Sequence, residues 1–150
     1  MKSLYEASTA KEIQDRMTLL TPKSQHLWGK MNAPQAMAHC ARGMELALGD
    51  NKPPRVPMGY LLGWIVKPLA LKDEEPLRRN SPTIKDLVVQ DQRDLTVERD
   101  RLSGLIDRFS AGGPAACTTH PHSFFGKLTP DEWAILMYKH LDHHLRQFGV

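Results

Sequence analysis

Three of the chain's seven histidines stand within five positions of one another, in the run YKHLDHHLRQF from Tyr138 to Phe148. They are His140, His143 and His144. An α-helix turns about 100° per residue. With His140 at 0°, His144 falls about 40° away and His143 about 60° away on the other side. Trp133, Leu136, Met137, Leu141 and Phe148 gather on the flank of the first two. The i,i+4 pair therefore points inward, with His143 at the edge of the apolar face. Lys139, Asp142 and Arg146 are expected on the opposite, solvent side. Residues four apart have β-carbons about 5–6 Å from each other. That spacing lets two ring nitrogens reach one ion at ~2.0–2.1 Å. It also suits a polar helix end whose imidazoles are satisfied by hydrogen bonds, so a metal reading needs a third ligand from elsewhere.

The candidate is His39, in APQAMAHCARGMELALG. Ala36, Cys40, Gly43 and Ala47 share a face of that helix, and His39 lies at its edge beside Gly43. Small side chains there allow a second helix or a ligand to come close. Cys40 points about 100° away from His39 and reads as a core residue. His39 lies roughly 9 Å from the start of its helix, and the HxxxH pair roughly 6–12 Å from the end of its own. The levels match only if the two helices are antiparallel.

The elements that must position these residues follow from period and punctuation. A first helix is expected over about 9–20, ended near Pro22. A second runs over about 33–48, opened by an Asn32/Gln35 capping box with Pro34 in the first turn, and closed by Gly49. A third covers about 91–110, closed by Gly112-Gly113. A fourth opens at TPDE, with Thr129 as N-cap, and ends near Phe148. Roughly forty residues separate the second helix from the third, too many for a tight antiparallel turn. The stretch is Pro-rich and carries YLLGWIVKPLALK, residues 60–72, read as one short covering helix or a peripheral membrane contact. IKDLVV, residues 84–89, could be extended. Such a link suits a crossover with the second and third helices parallel. The fold class is therefore all-α: a four-helix bundle, up-down-down-up, formed by residues 1–150 as a single domain. That order makes the second and fourth helices antiparallel, so the topology and the three-histidine site support each other.

Composition narrows the function classes. Hydrophobic residues make up 41% and charged residues 25%, as in ordinary globular proteins. The net charge of +3 is spread out, so no nucleic-acid footprint is expected. Two cysteines, Cys40 and Cys117, form no CxxC motif, and a reducing cytoplasm is the default location. No signal peptide is readable at the N-terminus, and no stretch is long enough for a membrane span.

LWGKMNAPQAMAHC, followed far downstream by FFGKLTPDEWAILMYKHLDHHLRQFG, resembles the DinB-like superfamily of metal-binding four-helix bundles, in a branch known as a domain of unknown function. The resemblance covers nearly the whole chain. It implies a divalent-metal site, zinc or nickel, on His39, His140 and His144. It also implies kinship to low-molecular-weight thiol transferases and isomerases, and a tendency to form homodimers. Two functional expectations follow. One is a metal-dependent enzyme, hydrolase or thiol transferase, acting on an unknown small molecule that could itself be a thiol. The other is a non-catalytic stress-response or partner-binding bundle. The expected pocket rim comprises the loop TPKSQHLWGKMN, with His26 and Trp28, and the loop RNSPTIKDLVVQD. Asn80, Ser81 and Glu98 are candidate contacts to the substrate or to the ligating imidazoles. His120 and His122 are expected at the opposite end and not as ligands. Ile135, apolar on the solvent side, hints at self-association.

Overall fold

The computed structural model describes residues 1–72 and 75–150, and its regular structure is helical. It has five α-helices: α1 (Ala7–Met17), α2 (Ala33–Leu48), α3 (Pro57–Leu71), α4 (Leu95–Ala116) and α5 (Pro130–Gln147). No strand occurs among the described residues. The expected caps form. Asn32 accepts from Gln35 N while the Gln35 side chain accepts from Asn32 N, and Thr129 and Glu132 repeat the exchange at α5. Each box satisfies two of the backbone N–H groups that a helix start leaves open.

Contacts between the helices follow an order along the chain. Between α2 and α4 they pair early with early and late with late: Gln35 Nε2 donates to Asp91 O, Arg101 pairs with Glu45, Arg108 with Asp50, and Thr118 N donates to Ala47 O. Between α1 and α4 the order is reversed, from the Tyr5–Phe109 ring stack through the Gln14–Ser103 hydrogen bond to Arg99 on Leu20 O. Between α1 and α5 it is again matched, with Leu4 N on Ala134 O and Arg16 on Asp142. The core filling these helices includes Ile13, Met37, Met44, Leu102, Ile106, Phe109, Trp133 and Leu141.

Several expectations change. The helix read within 60–72 begins earlier, with Pro57 in its first turn, and contains Pro68. The 84–89 stretch is not extended; Lys85–Leu87 form a 3-10 turn that buries Leu87. The third expected helix starts at Leu95, where Asp94 caps Val97 N. It breaks at Gly113 (φ 57°), and Pro114 then opens a further turn to Ala116. Lys139 and Asp142 are buried rather than solvent-facing. The wheel of one helix does not reveal that α1 covers that side, where Arg16 reaches Asp142 Oδ1 at 2.8 Å.

Candidate metal centre

α2 and α5 bring His39, His140 and His144 together, with one nitrogen from each within 4.8 Å of the others. The Nε2 atoms of His39 and His140 stand 2.9 Å apart. The close approach depends on Gly43. A β-carbon there would lie 3.0 Å from both Cε1 and Nδ1 of His140, tighter than ordinary carbon contact.

Hydrogen bonds fix which nitrogens face inward. His39 Nδ1 lies 2.8 Å from Leu87 O, and a carbonyl only accepts, so Nδ1 carries the proton and Nε2 a lone pair. Gln147 Nε2 donates to Trp28 O at 2.7 Å, which turns its Oε1 toward His144 Nδ1 at 2.9 Å. His144 Nδ1 therefore donates too, leaving its Nε2 as an acceptor. His140 Nδ1 is buried with no partner among the described residues. Burial pushes all three imidazoles below the usual histidine value, His144 to about 3. For His140 the neighbouring imidazoles add to that effect. At neutral pH the three rings are uncharged and their lone pairs are free to bind.

A family model described as Protein of unknown function (DUF1569) matches residues 2–149. The chain belongs to this family. No curated protein matches it, and no solved structure does.

Other expected residues of this DUF1569 chain fall in distinct places. His143 sits at the edge of the cluster, its ring 5.0 Å from that of His144, with Nδ1 donating to Leu77 O at 3.0 Å. Trp28 packs edge-on against His143 at 5.7 Å and carries the Arg79 guanidinium on its face at 4.1 Å. These groups line a cavity of about 300 Å³ with Leu77 and Arg146. His26 is exposed and packs against Phe148. Asn80 takes a positive φ of 54°, and Ser81 Oγ donates to Arg78 O, so both shape a turn. Glu98 is buried in ion pairs with Arg93 (2.9 Å) and Arg101 (3.0 Å), not beside the imidazoles. His122 Nδ1 accepts from Phe124 N and Phe125 N, and His120 Nε2 donates to Pro53 O. Both lie near Leu46 and Trp133, at the late end of α2 and the early end of α5. Cys40 is fully buried, and burial pushes its thiol up.

The link between α3 and α4 is expected at the pocket rim through Asn80 and Ser81, yet it is the backbone carbonyls of Leu77 and Leu87 that hold two imidazoles. Gln147 was likewise unmarked. Its one available signal was its place three residues after His144.

Proposed function

We propose that this chain is a DinB-like four-helix bundle, α1, α2, α4 and α5 running up-down-down-up, which holds a divalent metal ion on His39, His140 and His144. One observation carries the reading. The three inward nitrogens comprise two fixed acceptors, on His39 and His144, and at most one donor, on His140. A set of lone pairs facing one another is poorly satisfied by hydrogen bonds alone and well satisfied by a cation.

The residues fit such an ion. Two nitrogen ligands of a tetrahedral ion stand about 3.4 Å apart, and the separations here run from 2.9 Å to no more than 4.8 Å. Leu87 O and Gln147 would act as the partners that orient ligating imidazoles. Neutral imidazoles and the absence of a carboxylate from the set suit zinc or nickel.

Three neutral ligands would leave the ion its full positive charge, supplying a Lewis acid that lowers the pKa of a water or thiol brought to it. The activity proposed is hydrolysis or transfer involving a small thiol. The adjoining cavity has the size of a small-ligand site. Its aromatic face at Trp28 and the Arg79 guanidinium favour a substrate with a flat or apolar body and an anionic group, Arg146 being paired with Asp142 at 2.7 Å. The two free cysteines suit a reducing, cytoplasmic setting.

The rival reading, a non-catalytic bundle, draws on the same 2.9 Å contact, which is also hydrogen-bond length. Elemental analysis of protein purified without added metal separates the two. The proposal expects close to one divalent ion per chain, removed by a chelator. A chain that stays metal-free even after incubation with zinc and nickel contradicts it.

A further inference from the structure

Helix α3 presents an apolar face that the described residues leave largely uncovered, with Arg55 resting on the Tyr60 ring at 4.1 Å. Its outward arc carries Met58, Tyr60, Leu61, Trp64, Ile65 and Leu69, with Trp64 72% and Leu61 67% exposed. An α-helix apolar on its outer face is ordinarily buried. Together these side chains expose on the order of 800 Å², more than the ~300–600 Å² of the largest patch on a typical monomer. The helix is anchored by a narrow inner strip instead. Gly59 and Gly63 lie directly on the Phe124 backbone, where a β-carbon at Gly59 would come within 2.6 Å of Phe124 O. Lys67, the helix's single charged residue, turns inward to Glu132 at 2.8 Å and Lys127 O at 2.9 Å.

We infer that the outward face of α3 is a homodimer interface, covered by α3 of a second copy of this chain. The exposed area equals about one partner's share of a standard interface, ~800 Å² per side. Met58, Leu61, Ile65 and Leu69 follow the three-and-four spacing of a helix-packing seam. α3 itself places no charged residue on the arc while Trp, Tyr and Met are present, as at interface cores. A two-fold axis would lay the patch on itself, so it needs no other partner. A lipid surface fits less well. Interfacial helices carry lysine or arginine beside the apolar face. Here the helix's one lysine is committed inward, Arg55 is held on the Tyr60 ring at 4.1 Å, and the single Lys72 after α3 is followed by Asp73-Glu74-Glu75, which anionic lipid would repel.

Sedimentation equilibrium of the full chain tests this at micromolar concentration. A mass of twice the chain is expected, and Leu61→Lys and Ile65→Lys should each weaken dimerisation at least tenfold. Val97→Lys, at an exposed apolar site on α4, should leave it unchanged. Unaltered circular dichroism and metal content would show that the α3 variants still fold. A folded Ile65→Cys chain gives a second readout, forming a covalent dimer on mild oxidation where the parent chain does not. A monomeric parent chain overturns the inference. So does a dimer indifferent to both lysine variants, or a monomer that co-sediments with phosphatidylcholine vesicles, which would assign the face to lipid.

Discussion

The Nε2 atoms of His39 and His140 meet at 2.9 Å although 101 residues separate them in sequence, and the meeting is possible because position 43 is glycine. Gly43→Ala adds a β-carbon 3.0 Å from the His140 ring. Neither α2 nor α5 can move away without disturbing the core. The expected cost is about 1–3 kcal/mol of stability and a loss of zinc affinity as His140 is displaced. Thermal melts with and without zinc would show the metal-induced rise in Tm shrinking in the variant. An unchanged rise would mean that the close approach is irrelevant to metal binding.

Gln147 holds His144 Nδ1 with one end of its amide and Trp28 O with the other. Gln147→Leu keeps the volume and removes both bonds. Loss of such an orienting partner typically weakens metal binding about 10–100-fold. Competition against a chromogenic chelator would measure it, and an affinity within twofold of the parent would sink this role.

Stability of the metal-free protein should fall with acid. Burial lowers the folded-state value of His144 to about 3 and of His122 to about 4, against 6.5 for a free imidazole. The unfolded chain therefore binds more protons below pH ~6.5. The contribution is complete above that pH, declines as the pH drops from 6.5, and levels off below the folded values. Each group adds a slope of about 1.4 kcal/mol per pH unit in that window. Urea denaturation at pH 5 and pH 7.5 checks the sign. Equal stability at the two would contradict it.

Glu98 should matter for folding and not for metal. It is buried between Arg93 and Arg101, so Glu98→Ala leaves two guanidiniums without their shared carboxylate. Both arginines are partly exposed and keep a second carboxylate, Asp91 and Glu45, so the expected cost is about 1–2 kcal/mol. Metal affinity, measured on the folded fraction, should stay within twofold. A selective loss of affinity would return Glu98 to the site.

Much of this was legible in the residues. The i,i+4 pair His140 and His144, the small face around Gly43 and the two capping boxes all depend on local spacing, which a single helix expresses. That His39 comes close to that pair was suggested by the length of the link. What stayed hidden depends on tertiary neighbours. Asp142 looked solvated because a helical wheel has no knowledge of Arg16 on α1. The carbonyls of Leu77 and Leu87 are backbone groups in an aperiodic stretch, with no side-chain signature. Residues 60–72 read as either a covering helix or a peripheral membrane contact because hydrophobicity shows that a face wants burial without showing what buries it.

The most direct test of the account is zinc titration of the parent chain beside His140→Ala and His143→Ala. One site per chain is expected in the parent, with affinity cut about a hundredfold or more by His140→Ala and near-parental in His143→Ala. Equal behaviour of the two variants, or retention of parental affinity by His140→Ala, would contradict a centre built on His39, His140 and His144.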